Sequence, residues 1–531
     1  MTVSPTRDGV VPWPAEVAAR YARNGWWDDR TLTAPVLAAA DARPEAVALV
    51  DGGVRMTYRE LAARVDGTAI RLRELGLRRD DRIVVQLPTG PEVVVLTLGC
   101  LRAGVVPVMA VPDHRRREIG YLVRHAEARA LAVPAAFHHR NMAYAIAAES
   151  PTLDHVLVAG DTLDDLIRPA PDPARARREL DSAAPDSRDV ALMVLSGGVD
   201  TVPRLIPRTH DDYGCHVRRA AELSGFGPDT VYLAVLPMAH SMPLGMMLAT
   251  LRSGGRVVVA PSPAPTAAFD VIEREGVTAT AVVPAIARSW LRARPDRRRL
   301  SSVHIMLVGG AHLPAHVAHR IVPALARRLQ QGYGMAEGLV CLTRLDDPDE
   351  VARYTQGRPI CDDDELLVVD EHDHPVPDGE PGLLLTRGPC TPRGYYRAAG
   401  FNARAFAPGG WLRTGDIVRR RPDGNIVIVG RAKDMINRGG EKISAAEVEF
   451  FAHQVPGVAS AAAVAVPDPD LGERVCLYVV PHPGADVRLA DVREVMLAAG
   501  TAHFKLPERL RVVATIPDKK ALRADIAARR L

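Results

Sequence analysis

The sequence predicts an α/β fold, and three features carry that expectation. Short β-like runs alternate with amphipathic helical stretches through the first 430 residues. Helix start signals stand between the runs, as at Thr57-Tyr58-Arg59-Glu60 and Pro91. Residues 430–435 follow a tight strand–turn region and precede a fresh set of elements. Alternation on this scale implies mainly parallel sheets covered by helices. At 531 residues the chain is also too long for one ordinary domain. The boundary falls at Lys433, giving a large unit over residues 1–432 and a small one over 433–531.

Taken in order, Thr57 and Glu60 form a capping box that opens a helix with Leu61, Val65, Leu72 and Leu75 on one face. Ile83–Leu87 reads as a buried strand, Pro91 starts the next helix, and Val105–Val111 gives another strand. The rhythm recurs at Val190–Leu195, Val231–Leu236, Val257–Ala260, Ala279–Val283 and Ile305–Val308. Pro169–Ser187, rich in Pro, Ala, Asp and Arg, reads as a surface linker. Ser444-Ala445-Ala446-Glu447 is a second capping box, opening the first helix of the small unit.

Composition excludes several classes. With 67 basic against 64 acidic residues the net charge is +3, which leaves no electrostatic footprint for nucleic acid or an anionic membrane. No apolar run approaches the ~18 residues a membrane span needs, and the N-terminus lacks an apolar signal core. Cysteines 100, 215, 341, 361, 390 and 476 lie far apart with no CxxC pair. They read as reduced, mostly buried thiols of a cytoplasmic protein. Only five basic residues are lysines: Lys433, Lys442, Lys505, Lys519 and Lys520, all in the last 99 residues. Retained lysines are therefore informative in this chain.

The most telling stretch is LSGGVDTVPRLIPRTHDDY, from Leu195 to Tyr213. A strand ending in Ser196-Gly197-Gly198 lets backbone amides approach a phosphate, although a glycine pair after a strand also serves as a plain turn. No GKS or GKT follows, so it is not a Walker loop. Ser196 lacks a GxSxG elbow, which argues against a hydrolase. His312, His316 and His319 could share a helix face, but the spacing lacks the other marks of a zinc site.

The tail PRTHDDY resembles the aryl-acid branch of the adenylate-forming enzymes, the 2,3-dihydroxybenzoate–AMP and salicylate–AMP ligases, whose loop reads close to SGGSTGLPKLIPRTHDDY. Four more blocks follow in the family's order: Leu236-Pro237-Met238-Ala239-His240, Gln331 to Leu339 (QGYGMAEGL), Trp411 to Asp416 (WLRTGD), and Gly430 to Lys433 with Asn437 to Ile443. The resemblance implies a large N-terminal domain with a small mobile α+β domain that turns on Lys433. It implies an aromatic carboxylate joined to AMP at the expense of ATP with Mg²⁺, then passed to the phosphopantetheine thiol of an aryl carrier protein or to CoA.

By the same resemblance Gly309, Gly310, Ala311 and Tyr333, with the neighbouring Gly334 and Met335, hold the adenine. Asp416 takes the ribose hydroxyls, Arg431 sits near ribose and phosphate, and Glu337 helps hold Mg²⁺. Ser196, Gly197, Gly198 and Arg204 form the phosphate loop. His240, Ser241 and Met246 border the aryl pocket, Gly440 lies on the thiol route, and Lys442 is a candidate catalytic residue. Ser241 stands where dihydroxybenzoate enzymes carry Asn, and Met242, Met246 and Met247 follow, so a less polar pocket is expected.

Two departures from the family pattern bear on one half-reaction. Val199-Asp200-Thr201 replaces Ser-Thr-Gly in the phosphate loop, removing hydroxyls and adding a charge of the same sign as ATP. Near the end, Ile516-Pro517-Asp518-Lys519-Lys520 lacks the Gly-Lys pair whose lysine reaches the α-phosphate, leaving Lys519 and Lys520 as the nearby candidates. The alternative expectation is thus a relative that transfers or binds a pre-activated aryl group without efficient adenylation.

Overall fold

The computed structural model describes residues 9–197, 203–431, 435–516 and 522. Two largely parallel sheets form the body of the large unit. One has six strands in the spatial order His155–Val158, Ala130–Val133, Arg82–Val85, Val106–Met109, Val190–Leu195 and Leu205–Thr209, parallel up to a final antiparallel hairpin. The other has nine strands. Its parallel centre runs Arg328–Gly334, Ile305–Val308, Ala279–Val282, Val231–Ala234, Arg256–Val259 and Val47–Asp51. Four-residue strands with every position buried, such as Ala130–Val133 and Ala279–Val282, are what a sheet covered on both faces requires.

The expected helix starts are present. Thr57 accepts from the Glu60 amide and Glu60 returns the bond, capping Tyr58–Glu74. Pro91 occupies the first turn of Pro91–Ala103, a helix buried almost all round between the sheets. A third, antiparallel sheet built around Pro381–Arg387 and Trp411–Arg420 carries the chain toward the small unit. There Met435–Arg438 and Glu441–Ser444 form a hairpin joined to Val458–Asp468, Gly472–Pro481 and Arg509–Val512, with Ala445–Ala452 and Leu489–Ala498 on the sheet.

Three expectations need correction. Pro169–Ser187 is not a plain linker, because it contains the helix Pro173–Ser182. Asp172 caps it by accepting from the Arg175 amide, and Ala176 and Leu180, four apart, bury one face. Compositional polarity masked that short period. At Ser444 only half of the capping box forms: its hydroxyl accepts from the Glu447 amide, while the Glu447 carboxylate turns away to Lys505. His312 precedes the helix Ala315–Ala324 rather than sharing its face, and His319 bonds the Tyr354 hydroxyl. All six cysteines are buried and free.

Asp211 gives the fold a pH dependence. Its Oδ2 accepts from the Ser187 hydroxyl at 3.0 Å, while Oδ1 is buried without a partner. Burial pushes this carboxyl up to about 7 from an ordinary value of 3.8. The folded protein therefore keeps the proton after the unfolded chain has released it. Stability falls as pH rises between those two values, by up to about 1.4 kcal/mol per pH unit. Asp211→Asn keeps the Ser187 bond without the charge. It is expected to melt above wild type at pH 8 and by a smaller margin at pH 5; an advantage equal at both values would rule out this titration.

Candidate functional site

The parallel strands of the nine-stranded sheet all deliver their carboxyl ends to one edge, the place where open α/β sheets bind ligands. Val231–Ala234 leads to His240, Ala279–Val282 to Val283, Ile305–Val308 to Gly309-Gly310-Ala311, and Arg328–Gly334 to Met335 and Glu337. The six-stranded sheet brings Ser196 and Gly197 in from the end of Val190–Leu195. Motifs up to 245 positions apart in sequence, Gly197 and Lys442 among them, thus meet.

The Tyr333 hydroxyl donates to Asp416 Oδ2 at 2.6 Å. Both residues are buried, which fixes one oxygen of the carboxylate and aims it. Asp416 also pairs by backbone with Arg431, the last residue of Ile426–Arg431. Gly309 lies so close to its neighbours that a Cβ would come within 3.0 Å of the Gly332 carbonyl and 3.4 Å of Met242 Sδ. Gly334 and Gly310 are exposed, and Ala311 partly so, along this rim.

Glu337 sits on a turn held by Gly338 N–H to Met335 O at 3.0 Å and Met335 N–H to Leu339 O at 3.1 Å. Gly338 is required there: its φ is +109°, and a Cβ would strike the Cys390 carbonyl at 1.7 Å. The Tyr395 hydroxyl donates to Glu337 Oε1 at 2.8 Å. Burial and that carboxylate both push the Tyr395 phenol up. Beneath the turn Arg208, wholly buried, pairs with Asp212 at 2.6 Å and donates to Ala336 O at 3.0 Å and Cys390 O at 2.9 Å. Sequence reasoning quoted Arg208 within PRTHDDY without seeing this role, and it missed Tyr395.

Ser196 accepts the Arg204 amide on its hydroxyl at 3.0 Å and donates its own amide to Arg204 O, so the two residues lie side by side. The Arg204 guanidinium lies over the Phe401 ring at 3.4 Å, and burial lowers its pKa. Gly198, Lys433, Lys519 and Lys520 lie outside the described residues, as do Val199, Asp200 and Thr201.

His240 stands at the N-cap position of the helix Ser241–Arg252 without a side-chain capping bond. The Tyr213 hydroxyl donates to the Ser241 carbonyl at 3.0 Å, with Tyr213 packed edge-on against buried His216. Met246 is core, whereas Met242, one turn earlier, faces the Gly309 turn. The structure therefore puts Met242 at the rim and Met246 beneath it.

The hairpin turn of the small unit covers this edge. Lys442 Nζ donates to Gly310 O at 2.7 Å, Asn437 Nδ2 to the same oxygen at 3.1 Å, and His240 Nε2 lies 3.1 Å from Glu441 Oε1. Gly440, at φ +105°, passes so near Val283 that a Cβ would sit 3.0 Å from its Cγ1, and one on Gly197 would meet Lys442 Cγ at 2.9 Å. Among the described residues the one cluster with metal-ligand spacing is Cys215, Cys361 and Cys390, with sulfurs 3.5 and 3.9 Å apart along the chain of contacts. Soft sulfur donors do not suit Mg²⁺, whereas the Glu337 carboxylate does.

The family model described as AMP-binding enzyme matches residues 36–396, and that of the AMP-binding enzyme C-terminal domain matches 447–521. The chain is 55% identical to a 2-hydroxy-7-methoxy-5-methyl-1-naphthoate–CoA ligase of Streptomyces carzinostaticus, over 98% of each chain. It is 44% identical to the 2,3-dihydroxybenzoate-AMP ligase of Bacillus subtilis (strain 168), again over 98% of each. Among solved structures, apo MbtA of Mycobacterium smegmatis matches with a TM-score of 0.76 and 41% identity, covering 97% of this chain and 98% of that one. No helix among the described residues is long and apolar enough to cross a membrane.

Proposed function

This chain belongs to the AMP-binding enzyme family, and we infer that it activates an aromatic carboxylic acid as its adenylate and hands the aryl group to a phosphopantetheine thiol. The observation that carries the reading is the convergence of Tyr333–Asp416, Glu337, the Gly309–Gly310 turn and His240 at one sheet edge, beneath Gly440 and Lys442. Relatives at 55%, 51% and 44% identity are named for ligation of a naphthoate to CoA, of salicylate to AMP and CoA, and of 2,3-dihydroxybenzoate to AMP. Such acids feed siderophore and other secondary-metabolite assembly.

In the first half-reaction a carboxylate oxygen attacks the α-phosphorus of ATP and pyrophosphate leaves. Tyr333 offers its ring to the adenine and, through its hydroxyl, orients Asp416 toward the ribose hydroxyls. Glu337 is the residue that would hold Mg²⁺, which when bound neutralises phosphate charge. In the second, a thiol attacks the acyl carbon and AMP leaves. Gly439 and Gly440 keep the backbone low enough for a thin thioalkyl arm, and Glu441 and His240 flank its route. The hairpin contacts are those of a small domain set for this second step. Lys433 is the proposed pivot, and Lys519 and Lys520 are the candidate lysines for the first step.

The acid pocket has Ser241 and Met242 at its rim, a lining that favours an extended apolar ring system over a catechol. ATP–pyrophosphate exchange with a panel of aryl acids tests this. An ortho-hydroxylated naphthoic acid is expected to support exchange about tenfold better than 2,3-dihydroxybenzoate. Preference for 2,3-dihydroxybenzoate would overturn the pocket assignment. Exchange with none of the acids, alongside transfer from a supplied aryl adenylate, would select the adenylation-impaired alternative.

A further inference from the structure

Four charged residues meet in the seam between the large and small units. Arg117 and Glu118 lie on the helix Arg116–His125 of the large unit. Glu447 lies on Ala445–Ala452, and Lys505 on the short turn His503–Lys505, both of the small unit. Lys505 Nζ is 3.1 Å from Glu118 Oε1 and 3.0 Å from Glu447 Oε2, and the three side chains are 7%, 2% and 4% exposed. Glu118 Oε1 also accepts the Ala502 amide at 3.1 Å. Arg117 completes the set, 3.9 Å from Glu447 Oε1 and 4.3 Å over the Phe451 ring. Each unit thus supplies one cation and one anion; Lys505–Glu118 and Arg117–Glu447 cross the seam, while Lys505–Glu447 joins two residues of the small unit.

We propose that Glu118 and Lys505, with Arg117 and Glu447, form an ionic latch that positions the small domain for the transfer half-reaction, holding the Gly439–Lys442 turn on the active-site edge. This rests on the reading of the site given above. Burying a pair of charges gains little over leaving them in water, but burying one without its partner is costly. The latch therefore acts by selection: neighbouring settings of the seam that dehydrate these groups out of register are disfavoured. Contacts at the turn are few and mostly to backbone, Gly310 O taking both Lys442 and Asn437, and would tolerate several settings. Glu118 and Lys505 touch no residue assigned to substrate, so they act as positioning residues.

The test compares Glu118→Gln, which keeps an acceptor for the Ala502 amide but loses the charge, with Glu118→Lys, which sets a cation against Lys505 and Arg117. Pyrophosphate exchange is expected to stay within about twofold of wild type in both, because adenylation does not use this setting. Transfer of a supplied aryl adenylate to pantetheine is expected to fall about tenfold in the first and about a hundredfold in the second. A second readout needs no turnover. All six native cysteines are buried, so spin labels go to Tyr144→Cys and Glu494→Cys, on exposed helix faces of the two units. The distance distribution is expected to broaden in the order wild type, Gln, Lys. Equal loss of exchange and transfer, unchanged transfer, or an unchanged distance distribution would each overturn the latch. If wild type itself shows neither exchange nor transfer with any aryl acid, the functional reading fails, while the distances still decide the latch.

Discussion

Arg208→Met is expected to lower the melting temperature by on the order of 10 °C, the largest single stability loss anticipated in this chain. Arg208 is wholly buried, and its guanidinium reaches Asp212, Ala336 O and Cys390 O in three directions. Methionine fills the volume but satisfies none of these groups. Asp212, itself 0% exposed, would then hold a charge with only the Thr209 amide and hydroxyl beside it. Stranding one member of a buried pair costs about 3–5 kcal/mol. Arg208→Lys keeps the charge yet cannot form the fork, so it is expected to fall between the two. Because Ala336 precedes Glu337, adenylation should decline together with stability in both variants. Removing Asp212 as well, in Arg208→Met/Asp212→Leu, should recover most of the loss, apart from ~1 kcal/mol for the lost helix cap. A melting temperature for Arg208→Met within about 2 °C of wild type, on the same scale, would show that the clamp carries no load.

How far the sequence discloses all this depends on the range of each interaction. Local signals read directly: the Thr57–Glu60 box and Pro91 are decided within one helical turn, and both form as expected. The motif blocks also converge in space, with Tyr333 bonded to Asp416 and Gly309 packed on Gly332. Long-range polar contacts do not read directly. Lys505 and Glu118 are 387 positions apart, and neither lies in a recognisable pattern. Only the rarity of lysine in this arginine-rich chain hinted that Lys505 has a specific partner. The same partner explains why Ser444–Glu447 fails to close its box: Glu447 gains more from a buried ammonium than from its helix's own amide. Arg208 was hidden differently. It stands inside a motif, but nothing local says that an arginine there will be enclosed rather than solvated. Pro169–Ser187 misled through composition, a polar stretch needing only Ala176 and Leu180 to hold its helix against Tyr58–Glu74.

Glu337→Gln carries the largest expected effect on chemistry. The side chain is the same size, and its carbonyl oxygen still accepts from Tyr395, so the turn held by Gly338 and Met335 stays in place. Only the charge is lost. In the first half-reaction, negative charge builds on the α-phosphate and departing pyrophosphate, and a group that helps neutralise it acts mainly in the transition state. Adenylation is therefore expected to fall about a hundredfold or more, with part of the loss regained at high Mg²⁺. The second half-reaction expels AMP and has no pyrophosphate to neutralise. Transfer from a supplied aryl adenylate should stay within several-fold of wild type, and the melting temperature should barely move. Tyr395→Phe removes the bond that orients Glu337 but leaves its charge, so it should slow adenylation less than Glu337→Gln does. That ordering separates a charge effect from a positioning effect at the same atom. Equal losses in the two half-reactions for Glu337→Gln would place this carboxylate in the scaffold, as would wild-type exchange at every Mg²⁺ concentration.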